Sequence, residues 1–328
     1  MDTFKAIVVK EQQDQVIYGL EDVHMDALSE GEVLIKVAYS SINYKDMLAV
    51  QKNAGVIRNY PMIPGIDLSG TVVSSTDSRY TEGQKVLVTG FGTGVSHTGG
   101  FAEYARIPGD WIVPLPNNLT LKDAMVFGTA GFTASLSIIA LEKKGLDVNN
   151  DARILVTGST GGVGSVALQI LSKIGYKNIA ALVRKDYQVE VAKSLGATEI
   201  VFAHELGELN KPLNKQNFDF VLDTVGGDIA SVLIPQISYG GSMSMCGNAG
   251  GIKISSTVLP FILRGISLLG IDSVNVPSED RPAVWERIAN DWNISPTTLI
   301  NEISLEEVPQ TIEAIKNGQH VGRTIVKF

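Results

Sequence analysis

The segment that most constrains the fold is LVTGSTGGVGSVALQI (155–170), where an apolar, strand-like run enters a glycine-rich turn and leaves as a helix. Its spacing is Ser159-x-Gly161-x-x-Gly164, so serine replaces the first glycine of the usual dinucleotide-binding fingerprint. Small residues let main-chain amides approach a pyrophosphate, and the helix amino terminus faces that anion with its partial positive charge. The predicted cofactor contacts here are Ser159, Thr160, Gly161, Gly162, Val163 and Gly164.

An alternation of strand-like and helix-like segments surrounds this turn. A helix over VALQILSKIG follows it, and a more polar helix is expected at about 187–195. Strand candidates at this spacing imply a parallel sheet wrapped by helices, which is an α/β, doubly wound Rossmann arrangement. The candidates are ILVT (154–157), NIAALV (178–183), TEIVFA (198–203), FDFVLD (218–223) and GSMSMCG (241–247).

The regions before and after this strand–helix alternation have a different sequence pattern. Before about residue 110 there are short β-rich runs separated by Gly- and Pro-containing turns, which is typical of a barrel-like or sandwich-like domain. A long apolar helix is expected at 125–142, and helices at 282–292 and 305–318 precede a last strand at 322–328. We expect residues 1–124 and 271–328 to form one discontinuous β-rich domain, with a dinucleotide-binding domain at 125–270 inserted into it.

Charge and cysteine content exclude several classes of protein. A net charge of −8 repels phosphate backbones, so nucleic-acid binding is not expected. Cys246 is the only cysteine, which rules out an intramolecular disulfide and any zinc site with two or more thiolates, and fits a reducing cytoplasm. The charged first residues do not match a signal peptide, and the apolar stretch 257–271 is broken by Pro260 and Arg264, so no membrane span is expected.

The end of the next strand bears on which nicotinamide cofactor is bound. About 20 residues beyond Gly164, where a carboxylate would hold the ribose of NAD, the chain reads Val183-Arg184-Lys185-Asp186. Two cations suit a 2′-phosphate, so Arg184 and Lys185 predict NADPH. Two other interpretations stay open: a solvated basic turn, and an NAD enzyme in which Asp186 binds the ribose.

Several separate motifs together resemble the medium-chain dehydrogenase/reductase superfamily, and within it the zinc-free acrylyl-CoA reductase and quinone oxidoreductase family. The resemblance covers essentially the whole chain. It implies a GroES-like catalytic domain around the Rossmann domain, NADPH as cofactor, and a homodimer. The motifs are SINYKD (41–46), PMIPGID (61–67), GTAGFTA (128–134), CGNAGG (246–251) and LPFILRGISLLGIDSV (259–274).

The resemblance also implies further site residues. Tyr44 is expected at the nicotinamide and is the candidate catalytic residue, although a core aromatic in a turn is the alternative. Asp46 and Asp67 would support the Tyr44 loop or simply cap turns. The remaining expected contacts are Thr133, Asn248 and Ser273 for the cofactor, and Arg58, Lys52 and Arg264 for the phosphates of a CoA substrate, unless these cations form surface ion pairs.

No metal is expected. Zinc enzymes of the superfamily place a Cys near Asn43 and a His-Glu pair at Ile66-Asp67, and this chain has none of those ligands. Hydrogen-bond donors would then have to polarise the substrate, or the substrate would have to be an activated acceptor. An α,β-unsaturated thioester is such an acceptor, because hydride addition at its β carbon leaves enolate charge on the carbonyl oxygen.

The leading hypothesis is therefore NADPH-dependent reduction of acrylyl-CoA, or a close 2-enoyl thioester, to propionyl-CoA. A second hypothesis is an NADPH:quinone or enone oxidoreductase, because the same site could accept other conjugated carbonyls. A third is a non-catalytic NADPH-binding module, which would bind the cofactor without turnover. A hydrolase is disfavoured, since no G-x-S-x-G turn presents a nucleophilic serine.

Overall fold

The computed structural model describes residues 3–294 and 299–328, and these form two compact units. Unit 1 takes in residues up to Thr129, 273–290 and 299–328, and unit 2 takes in 130–272 and 291–294. The expected domain boundaries, 124/125 and 270/271, lie five and two residues before these changeovers. The expected C-terminal part includes 295–298, which lie outside the described residues. Residues 291–294 join unit 2, where the Lys173 ammonium donates to the Asn293 carbonyl.

Both units are built from short elements. The strands are β1 (Thr3–Gln12), β2 (Gln15–His24), β3 (Val33–Ile42), β4 (Asp67–Ser75), β5 (Lys85–Thr89), β6 (Tyr104–Ile107), β7 (Ile112–Pro114), β8 (Arg153–Val156), β9 (Asn178–Val183), β10 (Glu199–Phe202), β11 (Phe218–Asp223), β12 (Ile237–Met245), β13 (Ser267–Gly270), β14 (Ile300–Ile303) and β15 (Arg323–Lys327). The α-helices are α1 (Tyr44–Ala49), α2 (Leu121–Glu142), α3 (Gly162–Ile174), α4 (Tyr187–Ser194), α5 (Gly227–Leu233), α6 (Leu259–Arg264), α7 (Arg281–Ala289) and α8 (Val308–Lys316).

Unit 2 contains a parallel sheet in the order β10-β9-β8-β11-β12-β13. Renumbered within the unit this is 3-2-1-4-5-6, the order of a dinucleotide-binding Rossmann sheet, which confirms the expected α/β class. The central strand β8 is apolar on both faces, as a sheet covered by helices on both sides requires, and Ile154, Leu155 and Val156 are fully buried. The runs 178–183 and 218–223 coincide with β9 and β11.

The helix after the glycine turn has the expected ends. Gly161 precedes its first residue, and the helix terminates at Gly175, whose φ of +103° suits a residue without a side chain. The main-chain N–H of Tyr176 donates to the carbonyl of Leu171, which closes the last turn. Five apolar side chains of α3 are buried, so the helix is held against the sheet by its side chains; they are Val166, Ala167, Leu168, Ile170 and Leu171.

Unit 1 is β-rich. Its sheet runs β14-β15-β3-β4-β5-β7, with β6 also paired to β3, and the hairpin β1-β2 forms a separate two-stranded sheet. The last strand, β15, pairs antiparallel with β3, so Val326 lies opposite Ser40. The first and last parts of the described chain therefore share one sheet. Strand β2 was not expected, because its half-buried residues alternate with exposed ones and include several charges.

The expected single helix at 125–142 is wrong in one respect. The helix α2 begins at Leu121, but Gly128, with φ +50° and ψ −156°, interrupts it. Only glycine adopts this backbone conformation easily, and a side chain there would collide with Ser41 and Arg323. By length and hydropathy α2 alone among the described helices could cross a membrane, but 78% of that apolar window is buried within the protein, as in a core helix.

Candidate functional site

The glycine turn lies at the carboxyl edge of the unit 2 sheet, between β8 and α3. Gly158 has a φ of +57°, and the N–H of Gly161 donates to the Gly158 carbonyl at 2.9 Å. A side chain on Gly161 would approach only that carbonyl, at 3.2 Å, so the outer face of the turn is open. The first amides of α3 are therefore free to approach an anion, which is the arrangement that holds a pyrophosphate.

Glycine is needed at position 164 for helix packing, which is a different reason from that at position 161. A Cβ at position 164 would overlap the Gly158 carbonyl and lie 2.9 Å from the Ser159 Cα. Glycine thus lets α3 pack directly on the turn, as the third glycine of the fingerprint does in dinucleotide-binding folds. Gly162 and Val163 form the first residues of α3 and are half-buried.

Ser159 replaces a glycine without blocking the outer face of the turn, because its side chain points into the protein. It is 2% exposed, and its hydroxyl donates to the Leu182 carbonyl at 2.8 Å, on the neighbouring strand β9. Thr160 is also nearly buried, with its Oγ1 accepting a hydrogen bond from the Gln188 amide. These two side chains tie the turn to the strand and loop beside it, while the amides of the turn remain available.

Asp223 organises the adjacent part of the same edge, at the end of β11. Its carboxylate is buried and accepts hydrogen bonds from the Thr157 hydroxyl at 2.6 Å and from the Gly226 N–H at 2.9 Å. Burial raises the pKa of Asp223, and these donors oppose the shift. The DTVGG segment (223–227) thus has a rigid turn beside the dinucleotide turn.

The two residues predicted to bind the 2′-phosphate directly follow β9. Arg184 and Lys185 are exposed, and neither forms an ion pair with any described residue. The Lys185 ammonium lies 5.9 Å from the centre of the Tyr187 ring. The loop is thus a solvent-facing pair of cations at the carboxyl edge of the sheet, which is where the ribose of a dinucleotide lies in this fold.

The other predicted contacts occupy varied environments. Thr133 is buried in α2, Asn248 is exposed beyond the end of β12, and Ser273 is half-buried in unit 1. Arg58 is exposed, and its Nε donates weakly to the Gly55 carbonyl. Lys52 forms surface ion pairs with Glu11 and Asp14, which is the alternative to a phosphate contact. The Arg264 guanidinium donates to the carbonyls of Pro235, Ile237 and Asn214, and it therefore stabilises unit 2. Its contact with a CoA phosphate stays a prediction.

In unit 1, Tyr44 begins the short helix α1 and is 46% exposed, which does not fit the alternative of a core aromatic. The residue before it, Asn43, donates its N–H to the Asp46 carboxylate at 2.8 Å. The second carboxylate oxygen of Asp46 accepts the Ile66 N–H at 3.0 Å. Asp46 therefore caps α1 and fixes the turn before β4.

Asp67 lies beside this turn in a buried polar network. One carboxylate oxygen accepts hydrogen bonds from the Ser41 hydroxyl at 2.6 Å, the Asn43 amide at 2.8 Å and the Thr129 N–H at 2.8 Å. The other oxygen accepts the Thr129 hydroxyl. Four donor groups from three residues in two chain segments thus converge on a carboxylate with no exposed surface.

Arg323 completes the network from the last strand of the chain. It donates to the Ser41 hydroxyl at 2.9 Å, to the Asn43 side-chain carbonyl at 3.1 Å and to the Val126 carbonyl at 2.9 Å. Ser41 and Asn43 therefore bridge a buried guanidinium and the buried carboxylate of Asp67. Sequence reasoning missed Arg323; its one signal is a charged residue at the start of the strand RTIVK, directly before the apolar Ile325 and Val326.

Asp46 is the second buried carboxyl group of unit 1. Burial and the neighbouring Asp67 charge raise the pKa of Asp46 to about 7, against the N–H donors of Asn43 and Ile66, which lower it. Burial lowers the pKa of Arg323, while the charges of both carboxylates act in the opposite direction. Among the described residues, no three His, Cys, Asp or Glu side chains converge as a group that could hold a metal ion.

Comparison with known proteins extends these observations. Residues 29–117 match the alcohol dehydrogenase GroES-like domain family, and residues 162–290 match the zinc-binding dehydrogenase family. The chain is 46% identical to the putative quinone oxidoreductase YhfP of Bacillus subtilis over 99% of both chains. It is 41% identical to the acrylyl-CoA reductase AcuI of Ruegeria pomeroyi over 98% of both chains.

Solved structures show the same fold. Escherichia coli YhdH with bound NADPH is 43% identical, with a TM-score of 0.93 over 98% of this chain and 99% of that chain. B. subtilis YhfP with bound NAD is 45% identical, with a TM-score of 0.95 over 100% of both chains. The chain therefore belongs to the quinone oxidoreductase and acrylyl-CoA reductase family of the medium-chain dehydrogenase/reductase superfamily. This confirms the resemblance found in its sequence motifs, and it makes the protein an oxidoreductase.

The raised pKa of Asp46 predicts a pH-dependent stability. The pKa of Asp46 is 3.8 in the unfolded chain and about 7 in the folded protein. Between these two values the folded protein holds a proton on Asp46 that the unfolded chain has lost. The contribution of Asp46 to the free energy of unfolding therefore falls as the pH rises through this range. Urea unfolding across this range should show the advantage of wild type over Asp46→Asn shrinking with rising pH. The exposed Asp26→Asn is the control and should show a constant difference; a constant difference for Asp46→Asn would contradict the prediction.

Proposed function

We propose that this enzyme reduces the C=C bond of acrylyl-CoA, or of a close 2-enoyl thioester, to give propionyl-CoA. NADPH supplies a hydride to the β carbon and becomes NADP⁺, and a proton adds to the α carbon from solvent or a nearby acid. The chain's own residues bind and orient both molecules and stabilise the enolate oxygen through hydrogen-bond donors. No metal takes part.

The main support is similarity along the whole chain to an enzyme named for this reaction. The R. pomeroyi acrylyl-CoA reductase matches this chain over 98% of both lengths, so the likeness includes both units. The polar network of unit 1 fits a reaction without a Lewis acid. Donors already occupy the oxygens of Asp67, at a position where zinc enzymes of the superfamily have a ligand.

NADPH is the proposed cofactor because the turn and the basic loop fit its two phosphate-bearing parts. The amides of the glycine turn suit the pyrophosphate, and the exposed Arg184 and Lys185 suit the 2′-phosphate. Escherichia coli YhdH, 43% identical, has NADPH bound, whereas B. subtilis YhfP has NAD bound. Thr133, Asn248 and Ser273 remain the proposed contacts nearer the nicotinamide.

A second candidate function is NADPH-dependent reduction of quinones or other enones. The observation that favours it is the 46% identity to a putative quinone oxidoreductase over 99% of both chains. Both reactions deliver hydride to a conjugated carbonyl compound, so they need the same cofactor site and the same kind of oxyanion stabilisation. They differ in whether the substrate carries the CoA phosphates that Arg58 and Arg264 are proposed to bind.

We also propose that the enzyme is a cytoplasmic homodimer. In the described sheet of unit 2, β13 pairs only with β12, which leaves one strand edge unpaired. The nearby segment 252–263 exposes five large apolar side chains, with Ile252 at 84%, Ile254 at 45%, Val258 at 66%, Ile262 at 69% and Leu263 at 56%. A second copy of the chain would cover them. Sedimentation velocity tests this, since a species of 35.1 kDa alone would contradict it.

The decisive experiment follows NADPH oxidation with acrylyl-CoA, crotonyl-CoA and a simple quinone in parallel, with NADH as a cofactor control. We expect rapid turnover of acrylyl-CoA with NADPH, unchanged after dialysis against a chelator. Turnover of quinone alone would establish the second candidate. Tight NADPH binding without turnover would indicate a binding module. Activity lost on chelation and restored by zinc would contradict a metal-free mechanism.

Arg184→Ala tests the 2′-phosphate contact. A charge-assisted hydrogen bond lost from this site should weaken NADPH by about tenfold or more, corresponding to about 1.4 kcal/mol or more, and NADH much less. The matched control is Lys177→Ala, which removes one exposed cation near the opposite end of β9. Cofactor titration measures both constants. Equal losses for NADPH and NADH would remove Arg184 from the proposed site.

Tyr44→Phe and Tyr44→Ala test the proposed catalytic residue. If the hydroxyl stabilises the enolate oxygen, Tyr44→Phe should lower kcat by about 100-fold, as the loss of one oxyanion donor does elsewhere. Tyr44→Ala should in addition raise the KM for NADPH, since the ring contact is lost. The exposed Tyr239→Ala is the control and should match wild type. Wild-type kinetics in both Tyr44 variants would assign the residue to packing.

A further inference from the structure

The basic loop, residues 184–186, is short and exposed, yet its backbone is fixed. It joins β9, which ends at Val183, to α4, which begins at Tyr187. The side chains of Arg184 and Lys185 reach into solvent. A loop of three exposed residues would ordinarily sample several conformations, and each would place the two cations differently relative to the glycine turn.

The side chain of Gln188 holds this loop. Its carbonyl oxygen accepts hydrogen bonds from the main-chain N–H of Arg184 at 2.8 Å and from that of Lys185 at 3.1 Å. Because a main-chain N–H can only donate, the amide orientation is determined: the oxygen faces the loop and the NH₂ group faces away. That NH₂ group donates to the Thr160 hydroxyl at 2.9 Å.

The third hydrogen bond distinguishes Gln188 from an ordinary helix cap. A glutamine that only capped α4 would bond to the N–H groups just before the helix. This amide also reaches 28 residues back along the chain to the glycine turn. A second tie, from the Ser159 hydroxyl to the Leu182 carbonyl at 2.8 Å, holds β9 to the same turn. The loop and the turn are therefore held in one geometry before any ligand arrives.

We propose that Gln188 is a positioning residue that sets the preference for NADPH over NADH. It fixes the backbone of Arg184 and Lys185 relative to the glycine turn. The backbone from which the two cationic side chains extend is thereby held at a constant distance from the amides of the glycine turn. Pre-organisation of this kind lowers the entropy lost on binding, and here only a ligand with a 2′-phosphate benefits. The inference depends on the proposed 2′-phosphate site and not on the substrate.

The test compares the dissociation constants of NADPH and NADH, measured by titration without substrate. Gln188→Leu keeps the size of the side chain and removes all three hydrogen bonds. We expect NADPH to weaken by about tenfold, equivalent to about 1.4 kcal/mol, with little change for NADH. The control is Gln169→Leu in α3, because that half-buried glutamine donates only to the Ser165 carbonyl of its own helix. It should retain the wild-type NADPH/NADH ratio.

Thr160→Val, alone and combined with Gln188→Leu, provides a second test. If the two side chains act through their shared hydrogen bond, the double variant should lose no more of the NADPH/NADH ratio than the worse single variant. An unchanged ratio in Gln188→Leu, or equal weakening of both cofactors, would overturn the proposal. Should Arg184→Ala also leave the ratio unchanged, the 2′-phosphate site itself has failed. Absence of turnover with acrylyl-CoA would affect only the proposed reaction.

Discussion

The fold of unit 1 depends on hydrogen bonds that stabilise the buried negative charge of Asp67. A carboxylate without exposed surface is very costly unless it is paired and hydrogen-bonded. Here Ser41, Asn43 and Thr129 donate to it, and Arg323 reaches the same bridging side chains from the last strand. Removing one partner of such a group typically costs about 3–5 kcal/mol. The network therefore explains why residues more than 250 positions apart must fold together, and why a second unit can be inserted between them without separating the first.

The organisation of unit 2 depends on bringing several loops together at one edge of its sheet. A parallel sheet places the ends of β8, β9, β11 and β12 at one edge. Each loop is then anchored by a side chain that no ligand needs to contact: Ser159 on Leu182, Gln188 on Thr160, and Asp223 on Thr157. These ties leave the amides of the glycine turn and the cations of the basic loop for the cofactor. The site is pre-organised by contacts within the unit.

How far the sequence predicts this structure depends on how local each signal is. The strands β9 and β11 coincide with their predicted ranges, because each is a continuous apolar run bounded by polar residues or turns. The break at Gly128 could not be predicted, since a glycine between apolar residues is compatible with a buried helix. The role of Arg323 was also hidden, because its partners lie nearly 200 residues or more away in sequence. Gln188 was overlooked as one polar residue in an exposed helix.

The buried network also bears on how the chemistry is divided between protein and substrate. Coordination of a metal by Asp67 would require a lone pair that Ser41, Asn43 or Thr129 now uses, and would bring a second positive charge close to Arg323. Loss of those hydrogen bonds would uncouple β3, β4 and β15. The buried carboxylate of Asp67 thus serves to hold the fold of unit 1 together. Under the proposed function, activation would come from the substrate's own conjugation and from neutral donors such as the Tyr44 hydroxyl, which would favour acceptors that are already electron-poor at the β carbon.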